Sequence, residues 1–371
     1  MPRPPPDNRS LLRRLLADGS LDLEADPAEV LPAPARGTVA WDRVEGMLLG
    51  LAIGDSLGNT SESLTPRERL AAHGEVRDYL PNPRAGGRSV GLPSDDTQLA
   101  FWTLAQLLED GGLVPERLAE QFRSGRIHGI GSSVRAFLAA MAEGRPWYRA
   151  GPRSAGNGAL MRIAPVLVPH LRGGGSGLWV DAALGGAITH NDRLSTGSCV
   201  AFVRVLWDCL RLERHPPQGW WTEAFARTLQ ALEGDEPRYT PRIPGQEGRR
   251  VAGWRFTREA LVAAFERELP ARQACDLWHS GAFLLETVPS VLYILELHGD
   301  DPEEAIVRAV NDTKDNDTAA AIVGAAVGAL HGAEALPQRW IDGLLGRTRE
   351  GDDGEVFRLL DAAALAYASS A

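Results

Sequence analysis

Asp315-Asn316-Asp317-Thr318 sets two carboxylates and a hydroxyl in a D-x-D-T spacing directly ahead of AAAIVGAAVGALHG, an apolar run of small residues. Helix starts carry unpaired N–H groups and a partial positive charge, which favour acidic and hydroxyl side chains. On that account Asp315 is a cap, and Asp317 and Thr318 are first-turn residues. Capping alone does not explain why three oxygen clusters, Asp312-Thr313, Asp315 and Asp317-Thr318, precede one helix. Oxygen ligands gathered for a hard divalent cation explain it better.

A second stretch has the same character. Pro93-Ser94-Asp95-Asp96-Thr97 opens LAFWTLAQLLED, in which Leu99, Trp102, Leu104 and Leu107 can line a buried face. Adjacent aspartates repel when both are ionised, which raises at least one pKa unless a cation offsets the repulsion. Brought together, the two helix starts offer four carboxylates and at least two hydroxyls, with no His or Cys. Such a set suits Mg²⁺ or Mn²⁺, and four carboxylates suit a pair of ions better than one.

Other polar stretches are less specific. In Gly156-Asn157-Gly158-Ala159-Leu160-Met161-Arg162 the glycines would let backbone N–H groups approach an anion, with Arg162 completing the charge match. No strand precedes this loop, so it is not a dinucleotide fingerprint, and a plain turn is the simpler account. Gly129-Ile130-Gly131-Ser132-Ser133 is a similar, weaker turn. His190, in Thr189-His190-Asn191-Asp192, reads first as a structural hydrogen-bonder. With Ser195, His190 and Asp192 crowded into six residues and no G-x-S-x-G present, a Ser-His-Asp hydrolase is a poor reading. Cys199 and Cys209 lie inside an apolar helix and read as core.

The elements that must position these residues are helical. WDRVEGMLLGLAIGDSLG (41–58) carries Gly46, Gly50 and Gly54 at spacing four, the pattern of a helix packed backbone to backbone. A polar turn, Asn59-Thr60-Ser61-Glu62, and a loop containing PNPRAGGRSVGLP follow. Helical patterns then occupy 95–109, 115–123, 131–142, 177–190, 194–212, 220–233, 257–270, 286–299 and 302–312, with 234–255 an excursion loop. Alternating β-branched strands are nearly absent, so the domain is expected to be all-α, without internal repeats. Residues 41–371 form this domain, and residues 1–40 an N-terminal extension. Within the extension, MPRPPP is expected to be disordered, SLLRRLLADGSLDLEA to form a short amphipathic helix and LPAPARG to be a linker. The extension is either a tail packed on the domain or a partner-binding arm.

Composition narrows the classes. With 371 residues, 44% hydrophobic and 24% charged, the chain can bury a large core. A net charge of −10 argues against a nucleic-acid-binding surface. Three scattered cysteines make no disulfide framework, and the apolar runs at 47–53 and 319–330 fall short of the ~20 residues that span a bilayer. Without a signal-type segment, a soluble cytoplasmic protein with no membrane partner is expected.

Five stretches in order, GMLLGLAIGDSLG with Glu62, SDDTQLA, GNGALMRIAPV, THND and DNDTAAAIVGAAVGALHG, resemble the ADP-ribosylglycohydrolase family over about residues 41–332. The resemblance implies an orthogonal multi-helix bundle with a binuclear centre of two Mg²⁺ ions, Mn²⁺ being an alternative. It implies metal ligands Ser94, Asp95, Asp96, Asp315, Asp317 and Thr318, with Glu62 near the scissile ribose. Catalytic proton handling would fall to Asp95, Asp96 or Asp315, with Glu62 positioning substrate or water. Gly156, Asn157, Gly158 and Met161 would surround the phosphates and proximal ribose, His190 would contact a ribose, and Gly131 would line the substrate. The expected activity is release of ADP-ribose from modified protein side chains, arginine first.

Two departures stand out. Ser94 replaces the threonine of many members, and K-D-N-D-T replaces G-D-T-D-T, placing Lys314 and Asn316 beside the carboxylates. The extension resembles that of bacterial immunity proteins against ADP-ribosyltransferase toxins. This gives an alternative in which the chain binds and occludes a cognate toxin. A metal-dependent hydrolase of another nucleotide conjugate fits the same ligands.

Overall fold

The computed structural model describes residues 7–173, 175–352 and 354–368. The expectation of disorder in MPRPPP lies outside the described residues. Four helices carry the argument: α1 (Asn8–Ala17), α2 (Trp41–Gly58), α3 (Asp95–Asp110) and α4 (Asn316–His331). At the centre, α2 and α4 form the most extensive helix pair. Its closeness follows from residue size. A Cβ on Gly50 would strike the Gly324 carbonyl, one on Gly54 the Ala320 carbonyl, and one on Gly58 the backbone of Asp317. Glycine removes the atom that would hold the backbones apart. Because the match recurs every four residues, the register of α4 on α2 is fixed, and the start of α4 lies at the end of α2.

The architecture is all-α. Helices Pro115–Ser124, Ser132–Ala142, Gly177–Ala187, Arg193–Cys209, Trp220–Glu233, Gly253–Glu266, Leu284–His298 and Pro302–Asp312 match the periodic stretches of the sequence. One start differs by four residues for a visible reason. The Glu233 carboxylate accepts the N–H groups of Gly253 (2.5 Å) and Trp254 (2.9 Å), so the helix expected at 257 begins at Gly253. Among the described residues the only sheet is the antiparallel pair β1 (Pro81–Asn82) and β2 (Arg88–Ser89) inside the PNPRAGGRS loop. All three cysteines are buried and unpaired with one another. No helix of the described residues is long and apolar enough to cross a membrane.

The N-terminal segment packs on the bundle. Leu12 and Leu15 of α1 are buried, and Leu21, Leu23 and Leu31 join the same hydrophobic core. The stretch after them is strapped down by indoles, with Trp179 Nε1 donating to the Pro32 carbonyl (2.9 Å) and Trp207 Nε1 to that of Ala35 (3.0 Å). Asp22, almost fully buried, pairs with Arg153 (2.9 Å), Arg193 (3.3 Å) and Arg238 (3.3 Å). These arginines come from two loops and from the first position of the helix Arg193–Cys209. Deep burial of a carboxylate is tolerated here because cations surround it.

Candidate active site

Helix α3 starts where Asp55 of α2 fixes it. The Asp55 carboxylate, fully buried, accepts from the N–H of Ser94 (2.9 Å), the N–H of Thr97 (3.1 Å), the Thr97 hydroxyl and Asn59 Nδ2 (3.2 Å). Ser94 is the N-cap, its hydroxyl accepting from the Asp96 N–H at 3.4 Å. Asp95 and Asp96 therefore project from the first turn of α3. The two elements of the cap are shared between chain segments 39 positions apart.

Helix α4 starts differently. Asp315 stands at its N-cap but makes no side-chain capping bond; instead it accepts Asn157 Nδ2 at 2.6 Å. Capping thus does not use this carboxylate. Its entry is held by the Ser280 carbonyl, which accepts the N–H groups of Asp315 (3.0 Å) and Lys314 (3.2 Å). Ser280 and His279 both adopt positive φ, at 38° and 69°, an unusual conformation for side-chain-bearing residues. Asn316 Nδ2 donates to the Gly58 carbonyl (3.0 Å) and Ser61 Oγ (3.2 Å), tying α4 to the end of α2. Lys314 turns outward: it is exposed, with Nζ 3.2 Å from His279 Nε2, so it does not crowd the carboxylates.

Arg69 completes the frame. Fully buried, it donates to Ser61 Oγ (2.9 Å), the Leu64 carbonyl (3.0 Å) and the Thr313 carbonyl (2.9 Å), clamping the loop that bears Glu62 to the approach of α4. Glu62, Asp315 and Asp317 each place an oxygen within 4.8 Å of the others. Asp95 and Asp96 share the same cleft of ≈ 550 Å³.

The electrostatics are those of carboxylates buried close to one another. Burial is the first cause that pushes the Asp96 carboxyl well above its ordinary range, followed by Asp317, Asp55, Asp95 and Asp315. Asp95 and Asp317 are raised in the same way, by burial and then by neighbouring carboxylates. Asp315 is raised less, because the Asn157 amide opposes its burial. Glu62 is exposed on its outer side, yet its carboxyl faces the cleft and is raised by partial burial, Asp315 and Asp55. Asp96 Oδ2 is buried with no hydrogen-bond partner. An orphaned carboxylate oxygen among repelling carboxylates fits a hard divalent cation. Ser94, Asp95, Asp96, Asp315, Asp317 and Thr318 are the residues that could hold it.

The substrate-side residues meet on the same cleft: Gly131, Gly156, Asn157, Gly158, Met161 and His190 all line it, as does Thr318. Ser94 alone of the residues singled out lies elsewhere, on an adjoining cleft. The sequence reading of Arg162 as a phosphate partner does not hold. Its side chain is fully buried beneath the loop, donating to the Gly185 carbonyl (3.1 Å) and Thr189 Oγ1 (2.8 Å). Thr189 Oγ1 in turn lies 3.0 Å from His190 Nδ1. With Arg162 donating to Thr189, the hydroxyl donates onward, so Nδ1 accepts and Nε2 carries the proton. Burial and the Arg162 charge lower the His190 pKa to about 3, keeping the ring neutral. A Cβ on Gly158 would sit 2.9 Å from His190 Cε1, which explains that glycine by close approach.

Four contributors escaped sequence reading. Asp55 offered a signal, an acid within a glycine-striped apolar helix, to which no role was assigned. Arg69 offered none, since its partners are the Ser61 hydroxyl and backbone carbonyls that no pattern brings together. Arg242, from the excursion loop, reaches the cleft, stacks 4.7 Å over Phe283 and pairs with Glu286 at 3.0 Å. Phe283 also lines the cleft, and nothing local to either residue foretells the contact.

Comparison with known proteins finds relatives over most of the chain. The sequence model described as ADP-ribosylglycohydrolase matches residues 36–369. The ADP-ribosylarginine hydrolase Tri1 of Pseudomonas putida is 26% identical, covering 91% of this chain and 85% of its own. The ADP-ribosyl-[dinitrogen reductase] glycohydrolase of Rhodospirillum rubrum is 26% identical, covering 83% and 92%. A solved structure titled ADP-ribosylglycohydrolase-related protein complex superimposes with a TM-score of 0.63 at 26% identity, covering 89% of this chain and 99% of its own.

Proposed function

Since the chain belongs to the ADP-ribosylglycohydrolase family, we propose that it hydrolyses the N-glycosidic bond joining ADP-ribose to a protein arginine side chain, using two divalent cations. The observation that carries this reading is the meeting of Asp95 and Asp96 with Asp315, Asp317 and Glu62 on one cleft. The arginine preference draws on the relatives that act on ADP-ribosylarginine. When bound, Mg²⁺ or Mn²⁺ would supply Lewis-acid chemistry at the ribose next to the bond broken. Ser94, Asp95, Asp96, Asp315, Asp317 and Thr318 would hold the ions.

The remaining roles belong to side chains. One aspartate among Asp95, Asp96 and Asp315 would pass a proton to the departing guanidino nitrogen, and Glu62 would position substrate or water. Asn157 restrains Asp315 through its 2.6 Å bond, limiting the rotamers from which that carboxylate acts. The Nε2–H of neutral His190, facing Gly156 and Gly158, is a donor for a ribose or phosphate oxygen. Met161 and Phe283 give the cleft apolar surface that excludes water.

The test is release of ADP-ribose from arginine-linked and serine-linked substrates, with and without a chelator. Chelation is expected to stop turnover, and Mg²⁺ or Mn²⁺ to restore it. Asp96→Ala and Asp317→Ala are expected to lose turnover while retaining a cooperative melt. Full activity in either variant refutes the assignment; preference for the serine linkage refutes the arginine reading alone. Among the described residues no observation favours the alternative of toxin binding by residues 1–40, whose Leu12, Leu15, Leu21, Leu23 and Leu31 are committed to the core.

A further inference from the structure

A second cleft, of ≈ 270 Å³, adjoins the first and shares Glu62, Asp95 and Gly129 with it. Its character is different. Arg84, His128 and Arg347 line it, and beyond Glu62 and Asp95 it contains no further carboxylate. Each basic residue is hooked to an element of the candidate active site. Asn82 Nδ2 donates to Thr60 Oγ1 (3.1 Å), and Asn82 Oδ1 accepts the Arg84 N–H (2.9 Å), anchoring the Arg84 turn beside Glu62. Gln98, one turn into α3 from Asp95, accepts the His128 N–H at 2.7 Å and donates to the Thr348 carbonyl at 2.8 Å. One buried amide thus holds the strands bearing His128 and Arg347 together.

These basic groups are not consumed by the fold. Among the described residues, the side chains of Arg84 and Arg347 make no ion pair within 4.0 Å; Asp352, whose charge acts on Arg347, has its carboxylate occupied by the Thr348 N–H at 2.8 Å, and Arg84 acts on Glu62 across the cleft. His128 Nε2 and Arg347 Nε are buried without a hydrogen-bond partner. Arg347 Nε is an orphaned donor, and His128, its pKa lowered by burial and by Arg347, can offer a second from an uncharged ring; in a walled cleft such donors suit an anionic acceptor.

Resting on the function proposed above, the geometry points to this cleft as the subsite for the acceptor side of the substrate, taking an acidic residue that flanks the modified arginine. ADP-ribose occupies the larger cleft with its scissile ribose at the carboxylates. The linked polypeptide must leave by a route that starts at those same carboxylates, and the second cleft is one. Its two ends then match a zwitterionic segment: Glu62 and Asp95 face the guanidino group, and Arg84, His128 and Arg347 face a neighbouring carboxylate. The chain's own charge of −10 opposes a polynucleotide acceptor and favours a short acidic peptide, which needs only a local basic site.

Two peptides, each with one ADP-ribosylated arginine flanked by glutamates or by glutamines, test the assignment in low salt. The glutamate peptide is expected to be released with roughly fivefold higher kcat/KM, the scale of one or two partly exposed ion pairs, and added salt to erase the difference. In Arg84→Glu the ratio is expected to fall below one, and in Arg347→Gln towards one. The ratio is internal to each enzyme, so a general loss of activity does not mimic the result. A ratio of one in the unmodified protein, or an unchanged ratio in both variants, overturns the subsite. Release from neither peptide overturns the proposed function instead, and the subsite with it. Competition by single-stranded DNA but not by polyglutamate overturns the acidic-peptide assignment in favour of a phosphate backbone.

Discussion

Asp55 accepts the backbone N–H of Ser94 at 2.9 Å, so the last turn of α2 fixes the N-cap of α3. The same carboxylate holds Thr97. Replacing Asp55 by alanine leaves buried donors without partners, at roughly 1–3 kcal/mol for each. Asp55→Asn keeps the volume but turns one acceptor into a donor facing the Ser94 and Thr97 N–H groups. Both variants are expected to lose most kcat, with Asp55→Ala also melting lower. Wild-type kcat in Asp55→Asn, measured by ADP-ribose release, would show that Asp55 does not position the site.

Gly54 lies against the Ala320 carbonyl, where a Cβ finds no room. Gly54→Ala is expected to cost about 1–3 kcal/mol by forcing α2 and α4 apart, a penalty of overpacking. Separation of the helices also moves Asp317 away from Asp55, so kcat should fall further than stability alone explains. Thermal melting and turnover of the same sample check this. A stable variant with normal turnover would mean that the glycine register does not control the site.

His190 supplies a pH prediction with a definite sign. Its folded pKa of about 3 lies below the ordinary 6.5, so the unfolded chain binds the proton more readily. Its contribution to stability is complete above pH 6.5 and is lost as pH falls from there towards 3. The melting temperature of the wild type should therefore drop more between pH 7 and pH 5 than that of His190→Gln. In the pH–rate profile no inflection belonging to His190 should occur over the same interval. Parallel melting curves for the two proteins would contradict a buried neutral imidazole.

Residues 8–31 contribute Leu12, Leu15, Leu21, Leu23 and Leu31 to the core. Each buried leucine stabilises by about 1.5–3 kcal/mol. Truncation before residue 32 should therefore destabilise the whole bundle and, through loss of Asp22, release Arg153, Arg193 and Arg238. We expect a lower melting temperature and raised KM together. A truncated protein that melts and turns over normally would identify the segment as a detachable arm.

How much of this was legible beforehand varies from residue to residue. The D-x-D-T and S-D-D-T stretches announced the carboxylates that share one cleft because the residue types themselves carry the charge. Gly46, Gly50 and Gly54 disclosed the central helix pair because a missing Cβ has one dominant use at spacing four. Arg162 misled, since a guanidinium beside a glycine loop has the same signature whether it points at a ligand or beneath the loop. Its orientation was decided by Thr189 and the Gly185 carbonyl, which sequence does not place.

By itself, then, the sequence determined the helical class, which depends on local period, the family, which five ordered motifs carry, and the acidic character of the cleft, which residue type alone supplies. Tertiary structure alone decided which carboxylates face one another, that Asp55 and Arg69 hold them there, and that Arg84, His128 and Arg347 share a cleft beside them. Most of those relationships link residues far apart in the chain, as Arg69 and Thr313 (244 positions) and Gln98 and Thr348 (250 positions) show. They depend on the register of α2 against α4 and on loop paths around it, and no local pattern along the chain encodes either.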